Sequence, residues 1–380
     1  MDLQEIRKEI DVIDRGLLEL FLKRMDKTRL VAQYKKENNL PILNASRERE
    51  IVYNMTKDLP DDMAAYTKIL YTTLFDLSRS NQSSLLYTNS LLKENIENAL
   101  ENTPKLFPQN CTVACQGIEG AYSQLAADKL FNRANIMYFN NFAGVMTAVE
   151  KGLCKYGILP IENSVHGSVG EVYDLMKEHK FYIVKSIKFR INHCLLSKQG
   201  VSVSDIKEIY SHEQALGQCS DFLKNHPGVK VTIVENTAVA AKMVSTSDRN
   251  NVAAISSNDC ANLYGLCVVD DMIQNSDNNY TRFICISKNL EIYPGANKIS
   301  IMFALPHKPG ALYSLISKFS AVGFNLTKLE SRPIPGKDFE FMFYIDFESS
   351  IYSKETVSLL CEFDNSPEQF VFLGSYCEVL

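Results

Sequence analysis

The chain has 380 residues, of which 46% are hydrophobic and 22% charged, and this composition excludes a disordered or collagen-like protein. At about 150 residues per domain, the length predicts two or three domains. The net charge of −5 gives no general attraction to nucleic acid or to an anionic membrane surface. Residues 1–16 lack the apolar centre of a signal peptide and no apolar run approaches 18 residues, so we expect a cytoplasmic protein that binds neither nucleic acid nor membrane.

The first ninety residues predict a helical domain. From Leu3 to about Asn38 there is no proline, and apolar residues recur mostly every three or four positions, as on one face of a helix about 54 Å long. Pro41 ends this helix, and shorter helices follow through the fifties and from about Asp61 to Leu92. So long a stripe cannot be buried within ninety residues, so we expect a homodimer or a higher homo-oligomer.

Cations interrupt the apolar stripe. At 100° per residue, Arg24 and Lys35 project within about 20° of each other in its middle, and Arg7 lies at its margin. Burying a cation is costly without an anionic partner, so one explanation is neutralisation by acidic residues or escape of the side chains to water. Taken with polar residues of the next two helices, the cations instead indicate a pocket for a small dianion. These polar residues are Arg47, Glu48, Ser78 and Gln82.

In type and order, these residues resemble the active-site set of the all-helical chorismate mutases over about residues 3–90. The resemblance implies that Lys35 and Gln82 hydrogen-bond the ether oxygen of chorismate. Asn44 departs from the aspartate that the family usually has near the substrate hydroxyl, although an amide can also hydrogen-bond there. The residues implied to bind chorismate are Arg7, Arg24, Lys35, Asn44, Arg47, Glu48, Ser78 and Gln82.

Residues 93–109 predict a polar linker with two prolines near its end. From 110 to 290, short apolar runs alternate with polar turns and helices, which predicts an α/β domain with a mainly parallel sheet. Its length is suited to two lobes around a cleft, with the chain crossing near 190 and returning near 270. Polar residues follow the strands where such a sheet presents its ligand crevice, although each alone is an ordinary helix cap. They are Glu162, Asn163, Ser164, Ser211, His212, Gln214, Gln218, Asn236 and Thr237.

Five ordered strings resemble prephenate dehydratase across this whole segment: GIEGAYS, LPIENSVHGS, SHEQALGQC, LYGL and NYTRF. The resemblance implies a two-lobed domain built like a periplasmic binding protein, with Thr281 of the T-R-F string as the catalytic residue. Asn275 stands where the family commonly has an aspartate. The other residues implied to contact the substrate are Glu162, Asn163, Ser211, Gln218 and Arg282.

Residues 298–380 read as a βαββαβ unit, the pattern of ferredoxin-like α+β domains. Its strings PGAL and ESRP resemble the phenylalanine-binding ACT domain, although Tyr313 stands where that family often has valine. Read alone, Gly310 merely opens a helix and Pro333 a turn. The residues implied to bind L-phenylalanine are Gly310, Ala311, Leu312, Glu330 and Ser331.

No metal, disulfide or cofactor is expected. The ten cysteines are scattered singly without a C-x-x-C pair, and the six histidines form no H-E-x-x-H. In a cytosolic chain such cysteines usually act as small buried hydrophobic residues. Neither G-x-G-x-x-G nor G-x-x-x-x-G-K-[ST] occurs, which argues against nicotinamide and nucleoside triphosphate chemistry.

The whole chain resembles the bifunctional chorismate mutase/prephenate dehydratases, with a helical domain at 1–92, a dehydratase domain at 110–290 and an ACT domain at 298–380. This implies chorismate and prephenate as substrates and L-phenylalanine as an allosteric inhibitor. Three alternatives stay open: a monofunctional dehydratase whose helical domain only dimerises, an arogenate dehydratase, and a two-lobed amino-acid-binding sensor. The intact cations disfavour the first, and a sensor needs neither Thr281 nor those cations.

Overall fold

The computed structural model describes residues 2–38, 40–86, 90–334, 336, 340–366 and 369–379, with only the backbone described for 83–86. The N-terminal part folds into helices, as the apolar spacing predicts. They are α1 (Leu3–Glu37), α2 (Ala45–Thr56), α3 (Asp61–Leu86) and α4 (Leu91–Asn102). The long first helix is therefore confirmed. In the part of the chain that is described, no helix combines the length and the apolar character needed to cross a bilayer.

Most of the apolar face of α1 touches no other described part of the chain. Ile6, Ile10 and Ile13 are 37%, 49% and 60% exposed, and the buried residue of this helix is Ala32. α3 packs against both α1 and α2, yet its Ile69 is also exposed. A continuous apolar face of this extent is typical of a surface that packs against another protein chain.

The segment predicted as a linker begins with an ordered helix. Ser90 starts α4 by accepting a hydrogen bond from the backbone N–H of Lys93, so the helix predicted for residues 61–92 is two helices. Ile96 and Ala99 of α4 are buried in a core shared with the C-terminal part of the chain. Apolar residues three and four positions apart form a narrow stripe, which the surrounding charged residues conceal in the sequence.

The middle part alternates strands and helices, as predicted. The strands are β1 (Asn110–Gln116), β2 (Arg133–Phe139), β3 (Tyr156–Asn163), β4 (Gly167–Ser168), β5 (Tyr182–Arg190), β6 (Cys194–Ser197), β7 (Glu208–Ser211), β8 (Lys230–Ile233), β9 (Val252–Ser256), β10 (Cys267–Asp270) and β11 (Tyr280–Ser287). The helices are α5 (Tyr122–Leu130), α6 (Phe142–Glu150), α7 (Gly170–Leu175), α8 (Glu213–Gln218), α9 (Ser220–Lys224), α10 (Thr237–Thr246) and α11 (Asn258–Tyr264), with a 3₁₀ turn at Val203–Asp205.

These strands form two sheets, one for each lobe. The order is β5-β11-β3-β1-β2 in the first lobe, with β4 beside β3, and β10-β6-β9-β7-β8 in the second. β1 is parallel to β2 and β3, and β7 to β8 and β9, whereas β11 runs antiparallel to β3 and β5. The chain crosses to the second lobe after β5 and returns at β11, so the junction of the lobes lies at the ends of β3, β5 and β11.

The C-terminal part has the predicted βαββαβ order. Its elements are β12 (Lys298–Leu305), α12 (Ala311–Ala321), β13 (Asn325–Pro333), β14 (Phe341–Glu348), α13 (Lys354–Asp364), β15 (Phe370–Tyr376) and β16 (Glu378–Val379). Four of these strands form an antiparallel sheet in the order β13-β14-β12-β15. β16 leaves this sheet and pairs in parallel with β5 of the first lobe.

The C-terminal domain packs directly on the first lobe. Met302 and Tyr344 share one apolar core with Leu159 of β3. β15 crosses β5 so closely that a Cβ on Gly374 would lie 2.3 Å from the carbonyl oxygen of Ile183, so only glycine fits there. Polar residues on this side of the first lobe are therefore within reach of the C-terminal domain.

Candidate active sites

Arg24, Ser78 and Gln82 form a polar wall between α1 and α3. The Arg24 guanidinium donates hydrogen bonds to the Ser78 hydroxyl and, at 3.2 Å, to the carbonyl oxygen of Leu74. It also lies 5.7 Å from the centre of the Phe75 ring, within range of a cation–π attraction. Gln82 is buried, and its side-chain oxygen has no hydrogen-bond partner within the described ranges. A buried oxygen without a partner is costly, so this wall is suited to a polar ligand.

Lys35, near the end of α1, is half-buried close to the start of α2. Its ammonium donates a hydrogen bond to the carbonyl oxygen of Ile42. Burial lowers the pKa of Lys35; the Glu48 carboxylate opposes this effect, and Arg79 adds to it. Arg79 forms ion pairs with Glu48 and Asp76. Arg79 was not among the predicted site residues, although a half-buried carboxylate such as Glu48 requires a cationic partner.

Arg7, Asn44 and Arg47 are exposed. Asn44 caps α2 by accepting a hydrogen bond from the backbone N–H of Arg47 at 3.1 Å, and the Arg47 guanidinium pairs with Glu50 at 2.8 Å. Arg7 lies 17 residues before Arg24 on one continuous helix, a rise of about 25 Å. An arginine side chain cannot span that distance. Arg7 therefore does not join the polar wall of its own chain.

Thr281, at the start of β11, lies opposite Asn163 at the end of β3. The side-chain oxygen of Asn163 accepts hydrogen bonds from the backbone N–H groups of Val165 and His166, at 2.9 and 3.0 Å. These contacts turn the NH₂ group of Asn163 towards β11, where it donates to the Thr281 hydroxyl oxygen at 3.0 Å. The Thr281 oxygen is thus an acceptor in this contact, and its own proton is free for another partner.

Further hydrogen bonds connect Asn163 with the second lobe. Asn163 donates to the side-chain oxygen of Asn279, and Asn279 donates to that of Gln218, each at 2.9 Å. Nε2 of His193 lies 2.7 Å from the same Gln218 oxygen. His193 is buried, which lowers its pKa, while the hydrogen bond with Gln218 raises it in part. Because the shared oxygen can only accept, neutral His193 carries its proton on Nε2.

Two members of this network were not among the predicted site residues, and one predicted residue lies outside its hydrogen bonds. His193 and Asn279 lie at the two junctions where the chain passes between the lobes. A polar residue at such a junction could have been predicted as a site residue from the sequence. Ser211 ends β7 and is fully buried, with its hydroxyl donating to the carbonyl oxygen of Ile255 at 2.8 Å. It therefore stabilises the second sheet from within.

Glu162 and Arg282 point away from Thr281, which differs from the prediction that they contact the substrate. Both pairs of residues, Thr281 with Asn163 and Arg282 with Glu162, lie opposite each other in the ladder between β11 and β3. Successive side chains of a strand project to opposite faces, so each pair occupies its own face of the sheet. The family resemblance assigned all four residues to the substrate, whereas alternation along the strands separates them into two pairs on opposite faces.

The face that carries Glu162 and Arg282 is covered by the C-terminal domain. The Arg282 guanidinium lies 2.5 Å from a carboxylate oxygen of Asp346 and 2.8 Å from one of Glu378. Glu162 forms an ion pair with Lys328 of β13 at 2.8 Å. These two motif residues therefore attach the C-terminal domain to the strands that carry Thr281 and Asn163.

The residues predicted to bind L-phenylalanine lie at two places in the C-terminal domain. Gly310 has a φ of +83°, which favours glycine, and it starts α12 with the other two residues of its string in the first turn. Ser331 is exposed on the edge strand β13. Glu330 instead faces the first lobe, where its carboxylate accepts a hydrogen bond from Ser168 at 2.8 Å.

Comparisons with known proteins decide the family. Residues 6–83 match the family model "Chorismate mutase type II", and residues 113–291 match the model "Prephenate dehydratase". A bifunctional chorismate mutase/prephenate dehydratase of Aquifex aeolicus is 32% identical over 381 residues, which cover 100% of this chain and 99% of the relative. This chain belongs to that family. It is a bifunctional enzyme of phenylalanine biosynthesis, with chorismate mutase and prephenate dehydratase activities.

Two other proteins are similar to the dehydratase part. The arogenate dehydratase/prephenate dehydratase 2 of Arabidopsis thaliana is 37% identical over 276 residues, 70% of this chain and 72% of the relative. The crystal structure of a prephenate dehydratase from Arthrobacter aurescens, in complex with L-Phe, matches with a TM-score of 0.63 at 29% identity and covers 70% of this chain and 90% of that one. Below, the mutase domain is α1–α3, the dehydratase domain is the two lobes, and the ACT-like domain is β12–β15 with its helices.

Proposed function

We propose that a second copy of the chain completes the mutase pocket. Arg24 and Arg47, with Arg7 of the second copy, bind the two carboxylates of chorismate, while Asn44, Glu48 and Ser78 position its other polar groups. Two observations support this arrangement: α1 leaves its apolar face uncovered, and about 25 Å of helix separates Arg7 from Arg24 in one chain. A dimer made through α1 covers this apolar face and brings Arg7 of one copy to the pocket of the other.

The mutase step is a pericyclic rearrangement without a covalent intermediate, so orientation and electrostatics must carry it. Lys35 and Gln82 hydrogen-bond the ether oxygen of chorismate as negative charge develops on it. A compact ammonium beside a developing oxyanion stabilises the transition state more than the ground state. The half-buried position of Lys35 strengthens this interaction, because less water competes for the charge than at an exposed site.

At the dehydratase site, Thr281 is the proton donor. Prephenate loses its ring carboxylate as carbon dioxide, and the electron pair of that C–C bond completes the aromatic ring as the ring hydroxyl leaves. Hydroxide leaves poorly, so a proton from Thr281 must reach that oxygen while the C–O bond breaks, giving water. Thr281 then regains a proton from solvent.

One observation carries this role for Thr281. Asn163, fixed by two backbone N–H groups, donates to the Thr281 oxygen, which leaves the Thr281 proton available and stabilises negative charge on that oxygen. Asn279 and Gln218 hold Asn163 in place, and the neutral ring of His193 holds Gln218. Ser211 and Glu162 support the site indirectly, Ser211 through the second sheet and Glu162 through its ion pair with the ACT-like domain.

A coupled assay tests the function directly. Purified protein is given chorismate, and both prephenate and phenylpyruvate are measured with time. We expect both to form, with phenylpyruvate following prephenate. Arogenate, offered in parallel, tests the second candidate substrate, which the 37% identical Arabidopsis relative favours. Formation of phenylalanine from arogenate at a higher kcat/KM than that of phenylpyruvate from prephenate would make arogenate the dehydratase substrate.

L-phenylalanine is the end-product inhibitor of this cytoplasmic enzyme. Its carboxylate is received by the free N–H groups at the start of α12, with Gly310, Ala311 and Leu312 around it, and Glu330 and Ser331 close the site. The L-Phe complex of the Arthrobacter relative supports this proposal. Calorimetry on Ser331→Arg, an exposed substitution, should show weaker binding of L-phenylalanine than the unaltered chain, with D-phenylalanine as control. Unchanged binding and inhibition would place the site elsewhere.

A further inference from the structure

Lys328, on β13 of the ACT-like domain, lies directly behind the dehydratase site. Its ammonium donates hydrogen bonds to a carboxylate oxygen of Glu162 and to the Ser168 hydroxyl, each at 2.8 Å. Glu162 and Ser168 face each other across β3 and β4, one step before the loop that follows Asn163. The Lys328 side chain is only 14% exposed. One lysine therefore holds together both strands at the base of this loop.

This loop fixes the orientation of Asn163. The backbone N–H groups of Val165 and His166 both donate to the side-chain oxygen of Asn163, and this leaves its NH₂ group directed at Thr281. A small shift of the two strands moves these N–H groups relative to β11. Misplacement of a catalytic group by an ångström is costly in rate.

We propose that Lys328 is a positioning residue for the dehydratase reaction. It touches no substrate and acts on Thr281 through Glu162, Ser168 and the loop of Asn163. This proposal rests on the roles assigned above to Thr281 and Asn163. It also assigns a role to Glu162, which binds Lys328 on the face of the sheet that points away from Thr281.

The same contacts reach the proposed phenylalanine site. Glu330 accepts a hydrogen bond from Ser168 at 2.8 Å, and its carboxylate lies 3.9 Å from the Lys328 ammonium. A ligand bound beside Glu330 that moves this carboxylate takes an acceptor from Ser168 and an anion from Lys328. Inhibition by an amino acid in the ACT-like domain is thereby transmitted to the loop of Asn163.

Lys328→Met tests the proposal, because it removes the ammonium and keeps the apolar stem. We expect the dehydratase kcat to fall about tenfold with little change in the KM for prephenate, and half-inhibition to need more L-phenylalanine. Lys328→Arg, which keeps a cation, should restore most of the kcat. The mutase rate of the same chain, measured in parallel, should be unchanged and reports that the protein is folded.

Lys177→Met is the matched control. Lys177 is 12% exposed and also bridges the dehydratase and ACT-like domains, but it contacts Asp174 and the carbonyl oxygen of Pro333 rather than β3 or β4. We expect this variant to keep both the dehydratase kcat and the response to L-phenylalanine. An equal loss in Lys177→Met and Lys328→Met would mean that any interdomain lysine has this effect, and it would overturn the proposal.

A double-mutant cycle with Glu162→Gln separates the two possible roles of Glu162. If Glu162 acts through Lys328, the double variant is no slower than the slower single variant. Multiplied losses, or a normal kcat in Lys328→Met, overturn the proposal.

If Lys328→Met also loses mutase activity through misfolding, the kcat and KM of Glu162→Gln, which keeps the side-chain shape, decide instead. Thr281→Ala tests the proposed function separately, since its full activity would refute the proton donor and leave the Lys328 result readable.

Discussion

The mutase pocket and the dehydratase site differ in how much of each one chain completes. In the mutase domain, Arg24, Ser78 and Gln82 form one wall while Arg7 and Arg47 remain in solvent. At the dehydratase site, Thr281 is connected to the second lobe by hydrogen bonds that lie within a single chain. A site built from one long helix depends on what packs against that helix, whereas a site at the junction of two lobes is closed by the chain itself.

Removal of the dehydratase proton donor should give the largest effect and should change only the dehydratase rate. Thr281→Ala should lower the rate of phenylpyruvate formation by about 10²–10⁴, as for loss of a general acid, and leave the chorismate-to-prephenate rate near normal. Thr281→Ser, which keeps a hydroxyl, should retain part of the activity. Steady-state assays of both steps measure this, and loss of both steps in a folded Thr281→Ala protein contradicts two separate sites.

The reverse experiment removes the mutase cation. Lys35→Ala should cost about 3–4 kcal/mol of transition-state stabilisation, or about 10²–10³ in kcat, while the dehydratase rate stays unchanged. Lys36→Ala is the matched control, because the neighbouring lysine on α1 is exposed. Mutase kinetics on both variants decide the point: a comparable loss in Lys36→Ala would show that the charge of α1, rather than the position of Lys35, matters.

Mixing inactive variants tests directly whether each site is shared. Arg7→Ala and Lys35→Ala chains, allowed to exchange subunits, should recover about a quarter of the unaltered mutase activity, since half of the dimers then carry one complete pocket of two. Thr281→Ala mixed with Gln218→Ala should recover no dehydratase activity, because those residues act within one chain. Absence of mutase recovery after verified exchange contradicts a shared mutase pocket. Recovery of dehydratase activity contradicts a dehydratase site that lies within one chain.

The smallest effect is expected in the pH dependence. Lys35 must be protonated to stabilise the ether oxygen, and burial lowers its pKa, so mutase kcat/KM should fall as pH rises through a value below that of an ordinary lysine. Glu48→Gln removes the anion that opposes this lowering and should move the alkaline limb to still lower pH. Mutase rate profiles of the unaltered chain and of Glu48→Gln check this, and a Glu48→Gln limb at higher pH contradicts the assignment.

The sequence predicted whole elements well and the facing of side chains poorly. The stripe of α1 and the βαββαβ unit follow from hydrophobic spacing, which local packing preserves, and the two lobes were expected from the length of the segment and its resemblance to a known family. Glu162 and Arg282 were assigned to the substrate by resemblance to family motifs, whereas alternation along the strands sends them to the face opposite Thr281. His193 and Arg79 were missed because each derives its importance from a partner far away in the chain, and spacing carries no information about such partners.

The pairing of β16 with β5 also constrains the order in which the protein can form. β5 ends at Arg190, and its parallel neighbour is made of residues 378–379, so the edge of the first sheet stays open until almost two hundred further residues have left the ribosome. At about 5–20 residues per second, that interval lasts on the order of ten seconds or more. During it, β5 presents unpaired backbone groups that can capture strands of other nascent chains. We therefore expect the dehydratase domain to depend on chaperones during synthesis, whereas the mutase helices form without waiting for the rest of the chain.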